Sequence, residues 1–557
     1  MFRLKSIPLL LVIFVNSYSQ NVITFRVDLK EAFSKEIFVP SSGDSIIVRG
    51  SFNSWSTNDY KLADVTGDSV FSGEFNIIGD PGSFIEYKFI ILKRTGEIVW
   101  ESNPNPDNPP YGNRKLILTG NPQLTPIQNF HLTDPDIRGI NLNREFSVRE
   151  LQEDFLQLRK SLESDHCNLY EYTRKEKFDS LFDHQFACID HPMRYHEFFQ
   201  ILAPINNIIG CMHSNVWMAG SYWDYGKNNL FPLQVKFIAG YTVVSGYYND
   251  TSQVPVGSII LEINSRPIDK IINDLTSSYS SDGLNKQFQY AQVEKRFPMA
   301  YARFYGFPEK YIITYALPGR KTSVTTELIP ADINRVRKIV FKNFDHPPPT
   351  LKITDKSDLA ILKVPSFIFY DRVEYFTNFV DSAFKELKNE NVKNLILDLR
   401  GNDGGDPFCS VPLFSNLEKE PVSYFANEYG RYSEFANPIP LAENRFEGNL
   451  YTLIDKHCGS TNGHFCALLK YHRIGKLVGE EGGSTYKCNA RSKEFTLDNT
   501  KMIVNIARAT FSAAVEGMDK TKGVEPDYYV EQIYKDFLEG KDTAMDFTLN
   551  LISQKEQ

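Results

Sequence analysis

The sequence lacks several patterns that mark common protein classes. The apolar run at residues 7–15 is about half of the ~20 residues needed to cross a bilayer, and no later segment is a candidate span. Lysine and arginine form no cluster, and the formal net charge is −8. These absences argue against a membrane span and against nucleic-acid binding.

Cysteine is also scarce, with seven residues in a chain of 557. This is too few for a disulfide scaffold, and the spacing does not match a zinc site. The H-E-x-x-H motif of zinc peptidases is absent. We therefore expect neither a metal nor another cofactor. The odd number leaves at least one thiol free or paired with another chain.

The first residues resemble a targeting segment. Arg3 and Lys5 give a positive start, an apolar stretch follows, and Ser17 and Ser19 supply small residues at a cleavage site. This pattern predicts a signal peptide at residues 1–19 and export of a mature protein that begins at Gln20.

Composition and periodicity predict a multidomain chain, which its length requires. After the leader we expect an all-β sandwich at 20–130, a helical cap at 140–225, a β-rich domain at 228–335 and an α/β region at 345–557. In the last region, strand-like and helix-like segments alternate, which is typical of a parallel sheet with helices packed against it.

The first domain carries a phrase G-S-F-N-S-W that ends at Trp55 and a second aromatic segment that ends at Trp100. These segments resemble starch-binding and glycogen-binding modules, which are immunoglobulin-like sandwiches. The resemblance implies a possible glycan ligand stacked on the two tryptophans, with Lys88, Glu101 and Asn105 as polar neighbours. The alternative is that both tryptophans belong to the sandwich core.

Two features organise the middle of the chain. Ser147 and Glu150 form a capping box that predicts the start of a helix, with Phe146 and Leu151 as its hydrophobic staple.

Residues 254–268 resemble a PDZ domain, in which a glycine turn precedes an I-L-x-I-N strand. Such domains capture extended peptides at a sheet edge, although a purely structural role is the alternative.

Residues 393–406 predict a buried strand that runs directly into a glycine-rich loop, L-R-G-N-D-G-G-D. Glycines there let backbone N–H groups approach a ligand closely. Some sixty residues later, a second buried strand leads to Ser460, just before a predicted helix at about 461–471. The helix N-terminus favours negative charge near Ser460, although a simple N-cap is the alternative role. Cys458 excludes the G-x-S-x-G elbow of α/β-hydrolases.

Four motifs in this order resemble one family. They are the glycine loop, Ser460, a V-G-E strand near 478–480 and a terminal G-V-E-P-D at 523–527. Together they are similar to the tail-specific, or C-terminal-processing, serine peptidases, in the branch that includes the tricorn core. The resemblance covers residues 145–550 and implies a crotonase/ClpP-like α/β peptidase core with a PDZ-like insert.

The resemblance also implies catalytic roles. Ser460 is then the nucleophile and His213 the general base, whose ordinary pKa suits proton transfer at neutral pH. The N–H groups of Gly404 or Gly405, together with that of Thr461, would form the oxyanion hole.

Three positions depart from the family pattern. Gly463 replaces a common glutamate, Thr485 replaces the dyad lysine, and Lys520 replaces a glutamate before the last motif. The residue that orients His213 is therefore open, with Asp519 as one candidate.

The sequence thus predicts an exported serine endopeptidase with a polypeptide substrate. One alternative is a catalytically silent protein that binds glycan or peptide on a peptidase scaffold. Another is an esterase that uses the same serine.

Overall fold

The computed structural model describes residues 20–34, 37–53, 55, 58–96, 98–101, 113–130, 144–320, 322–340, 347–354, 358–370 and 372–555. The predicted leader at 1–19 and Asn105 lie outside these ranges. No helix in them combines the length and apolar character that crossing a bilayer requires. The chain divides into two compact units, residues 1–138 and residues 139–557.

The first unit consists of two β-sheets that share one core. The first sheet has the order β4-β1-β8 with β9 also on β1, and the second has the order β3-β2-β5-β6 with β7 also on β5. Phe25, Val48 and Phe89 are fully buried between the two sheets. The elements are β1 (Gln20–Asp28), α1 (Lys30–Ser34), β2 (Ser45–Gly50), β3 (Lys61–Leu62), β4 (Val70–Ile78), β5 (Phe84–Leu92), β6 (Ile98–Trp100), β7 (Arg114–Ile117), β8 (Gln123–Leu124) and β9 (Gln128–Asn129).

The second unit begins with a helical region. Its elements are α2 (Val148–Asp165), α3 (Lys175–Ala187), α4 (Tyr195–Ile209), β10 (Asn215–Trp217) and α5 (Gly220–Tyr225). Ser147 and Glu150 form the predicted capping box at the start of α2, and Phe146 and Leu151 are fully buried beside it. β10 pairs with β24 (Ile503–Ile506), so this region is hydrogen-bonded to the late part of the chain.

An antiparallel sheet follows, with the order β11-β12-β13-β15-β16 and β14 also on β13. Three helices between β14 and β15 pack on the same core. The elements are β11 (Leu233–Ile238), β12 (Tyr241–Tyr247), β13 (Ile259–Ile263), β14 (Arg266–Pro267), α6 (Ile268–Ser277), α7 (Gln287–Lys295), α8 (Phe297–Tyr305), β15 (Tyr311–Ala316), β16 (Ser323–Leu328) and α9 (Ile333–Val340).

The last sheet has the order β17-β18-β19-β20-β21-β26, and all of its pairs except β17–β18 are parallel. A helix lies in the chain between each two successive strands from β18 to β21, as the alternating pattern predicted, whereas four antiparallel strands lie between β21 and β26. The elements are β17 (Thr350–Ile353), β18 (Leu359–Lys363), α10 (Val373–Asn389), β19 (Asn394–Asp398), α11 (Pro407–Ser415), β20 (Asn449–Ile454), α12 (Thr461–Tyr471), β21 (Lys476–Gly479), β26 (Tyr528–Tyr529), α13 (Tyr534–Leu538) and α14 (Thr543–Lys555).

A pair of hairpin-like ladders completes the second unit, with β22 on β25 and β23 on β24. The strands are β22 (Lys487–Ala490), β23 (Lys493–Thr496), β24 and β25 (Ala509–Ser512). Because β18, β19 and β20 are parallel neighbours, the loops at their carboxyl ends meet on one edge of the sheet, where ligands bind in open α/β sheets. Those loops contain Ile368, Gly404 and Ser460.

Candidate active site

Ser460 lies after the carboxyl end of β20 and directly before the first residue of α12. Its backbone φ is +51°, a conformation that is uncommon for residues other than glycine and that tends to occur at functional sites. Its side chain makes no capping hydrogen bond to α12. Instead, Oγ lies 3.5 Å from Nε2 of His213. The hydroxyl therefore faces an imidazole rather than the helix N-terminus.

His213 lies in the turn between α4 and β10, and its backbone is fixed from two sides. The Met212 N–H donates to the Asp282 carboxylate at 3.1 Å, and the Ser492 hydroxyl donates to the His213 carbonyl at 2.7 Å. The structure thus brings His213 and Ser460 together, although they are 247 residues apart in sequence.

The imidazole of His213 is partly buried. Its Nδ1 is buried and has no hydrogen-bond partner within the described residues. Burial lowers the pKa of His213 to about 4, and the nearby Asn489 carbonyl opposes this only in part. The side chain is therefore neutral at pH 7, and its Nε2 can accept a proton from Ser460 when the imidazole proton is on Nδ1.

Asp519, the sequence-based candidate for orienting His213, lies elsewhere. Its side chain is exposed and accepts hydrogen bonds from the backbone and the hydroxyl of Thr521 at 2.9 and 2.7 Å. These bonds lower the pKa of Asp519. Lys520, at the position of the family glutamate, pairs with Glu171 at 2.6 Å. Neither residue contacts His213.

The glycine loop after β19 packs directly against Ser460. A Cβ on Gly404, whose φ is +101°, would lie 2.6 Å from the Gly459 carbonyl and 2.9 Å from the Thr461 nitrogen, so only glycine fits. The Gly404 N–H donates to the Asn402 side chain at 2.9 Å. The Thr461 hydroxyl donates to the Gly405 carbonyl at 2.6 Å. Of the predicted oxyanion-hole donors, the N–H groups of Gly405 and Thr461 are therefore better placed than that of Gly404.

Two adjacent residues on α7 contact the glycine loop and the loop before Ser460, and no sequence motif indicates them. Lys295 forms an ion pair with Asp403 in the glycine loop. Glu294 pairs with Lys456 at 2.9 Å and lies 3.8 Å from His457, both in the loop before Ser460. Burial alone would raise the pKa of Glu294, but the Lys456 charge and His457 lower it to about 2.

A pocket of about 270 Å³ opens beside Ser460 and His213. Its lining combines apolar and aromatic side chains with polar and charged ones, among them Met212, Trp217, Tyr279, Phe288, Ile368, Tyr370, Gln292, Arg296, Arg303 and Asp403. Such a mixture of apolar walls and a few charged groups is typical of a ligand site. The position of the two arginines was not predicted, because they lie on or next to helices whose sequence carries no motif.

All seven cysteines are free thiols. Cys488 Sγ lies 3.5 Å from Nε2 of His464, a residue of α12, the helix that begins directly after Ser460. Within the described residues no cluster of three or more histidine, cysteine or acidic side chains could hold a metal.

The candidate glycan-binding residues lie in the first unit. The rings of Trp55 and Trp100 are neighbours, with centroids 6.2 Å apart, and Trp100 is 37% exposed. Trp100 pairs with Ile90 on the face of β5 opposite to the core residues, and the side chain of Lys88 lies on that face too. Glu101 does not accompany them, because it is only 1% exposed and both of its carboxylate oxygens bind Arg114.

Comparison with known proteins finds peptidases among the relatives of this chain. A tricorn protease homolog from Saccharolobus solfataricus is 25% identical over 198 residues, which are 35% of this chain and 17% of that protein. A tail-specific protease from Haemophilus influenzae is 26% identical over 188 residues, which are 33% of this chain and 26% of that protein. The matches thus span about a sixth to a quarter of these relatives.

The fold has a counterpart among solved structures. The structure of mature CPAF complexed with lactacystin superposes with a TM-score of 0.53 at 13% identity, covering 70% of this chain and 95% of that one. At this identity the likeness concerns the fold alone. Residues 358–530 match Peptidase family S41. The chain therefore contains a serine-type peptidase domain of family S41.

Proposed function

We propose that this chain is an exported serine endopeptidase of the tail-specific type, which hydrolyses peptide bonds by acyl transfer. Ser460 is the nucleophile and His213 is the general base. The observation that carries the proposal is the 3.5 Å approach of Ser460 Oγ to His213 Nε2, together with the absence of a capping bond from that hydroxyl. A hydrogen bond of this length is usual before substrate binds and tightens in the reacting complex.

The reaction follows from these positions. His213 Nε2 takes the Ser460 proton as Oγ attacks the peptide carbonyl, and returns it to the leaving amine. The N–H groups of Gly405 and Thr461 stabilise the oxyanion, each contributing about 3 kcal/mol. The bond from Gly404 N–H to Asn402, at 2.9 Å, holds the loop in place for this purpose. Water then hydrolyses the acyl-enzyme.

The environment of His213 also sets an expectation for the rate. A triad carboxylate would hold the tautomer with the proton on Nδ1 and stabilise the imidazolium. His213 Nδ1 has no such partner among the described residues, and the pKa of about 4 makes the imidazole a weak base. We expect slow turnover at neutral pH compared with a serine peptidase that has a complete triad.

The test compares two serines at helix starts. Ser460→Ala should reduce hydrolysis of an unfolded polypeptide about 10⁵-fold or more, with little change in stability, because this side chain caps no helix. Ser147→Ala is the matched control, because it removes the side-chain hydrogen bond that caps the N-terminus of α2. This variant should lose about 1 kcal/mol of stability and should hydrolyse the substrate at the wild-type rate. Hydrolysis that persists in Ser460→Ala would refute the nucleophile.

A second readout separates an enzyme from a catalytically silent binding protein. That alternative is favoured by the missing partner of His213 Nδ1. A fluorophosphonate should form a covalent adduct on Ser460, identified by mass spectrometry, and His213→Ala should abolish it. If the wild-type protein forms no adduct and cleaves no peptide, the binding role becomes the better interpretation. An adduct on Ser460 without cleavage of any peptide would instead favour an esterase that uses the same serine.

We also propose that the first unit binds glycan through Trp55 and Trp100. The support is their adjacency on the outer face of a sheet, with Trp100 partly exposed. Wild-type protein should be retained on insoluble starch, and Trp100→Ala should lose that retention. Equal retention of both proteins would exclude this site.

Export is proposed from residues 1–19 of the sequence. Expression of the full chain in a bacterium should yield a secreted or periplasmic product whose first residue is Gln20. An unprocessed product in the cytoplasm would contradict it.

A further inference from the structure

We propose that Asp282 is a positioning residue that, together with Ser484, holds the turn carrying His213 against the first turn of the helix that follows Ser460. It acts through hydrogen bonds to the main chain and to a hydroxyl, and it does not contact the imidazole. This inference rests on the proposed function, since it concerns the geometry of the same base and nucleophile.

The first support is the place of Asp282 between two parts of the site. Asp282 lies between α6 and α7 and is only 1% exposed. Its Oδ1 accepts a hydrogen bond at 3.1 Å from the N–H of Met212, the residue directly before His213. Its Oδ2 accepts one from the hydroxyl of Ser484, in the loop after β21. One carboxyl group thus joins the His213 turn to that loop.

The second support is the packing of Ser484 on α12. Ser484 is fully buried, and a Cβ on Gly463 would lie 2.6 Å from the Ser484 Cβ and 3.0 Å from its Oγ. The Gly463 N–H donates to the Ser460 carbonyl at 2.8 Å, so Gly463 belongs to the turn that begins at the nucleophile. Glycine at this position lets Ser484 approach the helix closely. A continuous series of contacts therefore runs from the His213 turn through Asp282 and Ser484 to Ser460.

The third support is that the segment around Asp282 is anchored on both sides. The N–H of Gly283 donates to the Gly210 carbonyl at 3.0 Å. The side-chain amide of Asn285 donates to the Gly482 carbonyl at 2.7 Å. A group that positions another must itself be held by its surroundings, and these bonds fix Asp282 independently of its bond to Met212.

The fourth support is the burial of this acid without a cation. Asp282 forms no ion pair within the described part of the chain, and burial raises its pKa to about 7 although Ser484 and Met212 donate to it. Burying an unpaired carboxylate is costly, and such groups are frequent at functional sites.

The link holds in both protonation states of Asp282. As a carboxylate it accepts from Met212 and Ser484; as an acid it still accepts from Met212 and donates its proton to the Ser484 oxygen. Three titratable side chains face it, and burial raises the pKa of each, so that all are neutral at pH 7: Tyr172, Cys211 and Cys488. The position of His213 should therefore not change as Asp282 titrates.

The experiment compares three variants of the full chain. Asp282→Leu removes both hydrogen bonds. Asp282→Asn keeps both, because an amide can accept from the Met212 N–H and donate to Ser484. Ser484→Ala removes one bond. The readouts are kcat and KM for one quenched-fluorescent peptide, the rate of fluorophosphonate labelling, and the ¹H–¹³C signal of the His213 ring, assigned with His213→Gln.

Asp154→Leu is the matched control. Asp154 is also fully buried and accepts hydrogen bonds from the N–H groups of Asn499 and Thr500 at 2.8 and 2.7 Å. It joins α2 to the turn between β23 and β24 and does not line the pocket beside Ser460. This variant should unfold at a lower urea concentration but keep the wild-type kcat and His213 signal.

We expect Asp282→Leu to lower kcat about 10²-fold, because a displacement of a reacting group by about 1 Å has an effect of this size. KM should change less than about threefold, since the base does not bind the substrate ground state. Asp282→Asn should restore kcat to within about threefold of the wild type, and Ser484→Ala should lower it about tenfold. Labelling should slow in parallel, and the His213 signal should shift or double in Asp282→Leu alone among the aspartate variants.

Three outcomes would overturn the inference. They are a wild-type kcat in Asp282→Leu, a loss in Asp282→Asn as large as that in Asp282→Leu, and an equal loss in Asp154→Leu. If Asp282→Leu does not fold, Ser484→Ala decides, and an unchanged kcat in that variant contradicts the proposal. Failure of the proposed function looks different, because the wild type then cleaves no peptide and forms no adduct on Ser460, while the His213 signal still responds to Asp282→Leu.

Discussion

The pH dependence of hydrolysis gives a quantitative test of the environment of His213. Burial lowers its pKa from 6.5 to about 4, which corresponds to about 3 kcal/mol at 1.36 kcal/mol per pKa unit. A general base must be neutral to act. At pH 5 a pKa of about 4 leaves about nine-tenths of the imidazole neutral, whereas a pKa of 6.5 leaves about 3%. The two cases therefore differ about 30-fold in active base.

The assay is kcat/KM for one quenched-fluorescent peptide from pH 3.5 to 8, with far-UV circular dichroism at each pH to confirm that the protein is folded. We expect a single acidic limb near pH 4 and a plateau above pH 5.5. A limb at pH 6.5 or higher would refute the reasoning. In that case the ¹H–¹³C NMR titration of His213, assigned with His213→Gln, distinguishes two causes: a carboxylate beside the imidazole in solution, or another residue as the base.

Three further predictions concern other parts of the molecule. Gly404→Ala should lower kcat by about 10²-fold or more, because its Cβ would lie 2.9 Å from the Thr461 nitrogen; unchanged kcat would place the oxyanion hole elsewhere. Burial lowers the pKa of His166 and His464 to about 4, so between pH 6.5 and 4 the unfolded chain binds more protons than the folded chain. The free energy of unfolding by urea should therefore decrease as the pH falls through that range. His166→Gln should weaken this dependence on pH, and an unaltered dependence would contradict the prediction. Arg114→Met should destabilise the first unit by about 3–5 kcal/mol, since it leaves the buried Glu101 unpaired. The double variant with Glu101→Gln should recover much of that loss, as measured by tryptophan fluorescence in urea.

The main-chain architecture was predictable where local patterns decide it. The helix expected at about 461–471 is α12, Thr461–Tyr471, and the capping box at Ser147 begins α2 as predicted. Such features depend on neighbours in sequence, namely apolar periodicity and turn residues. The order of the parallel strands in the sheet is their order in the chain, as expected because sequential strands usually lie next to each other.

The parts of the site that were not predicted depend on tertiary contacts. The placement of Arg303 among three aromatic rings requires α4, β10 and α8 to pack together, and no local pattern encodes that. The resemblance implies that Glu101 is a polar neighbour of the two tryptophans, but its carboxylate points inward to Arg114. Asp519 was chosen for its closeness in sequence to the last family motif, whereas its carboxylate serves its own turn. Charged side chains find partners in space, so their roles are the hardest to predict from sequence.

The side chains of Glu294 and Lys295 have a consequence for how this chain can vary. Neighbouring positions on a helix point about 100° apart, and on α7 they reach two different loops, at Lys456 and at Asp403. A deletion or insertion of one residue in α7 would rotate both contacts away at once, whereas a substitution removes only one. The loop before Ser460 and the glycine loop thus both depend on the register of a helix outside residues 358–530, which also exclude His213. On the mechanism proposed above, residues 358–530 alone would lack His213, and a change in the length of α7 should lower activity more than a substitution of Glu294 or Lys295.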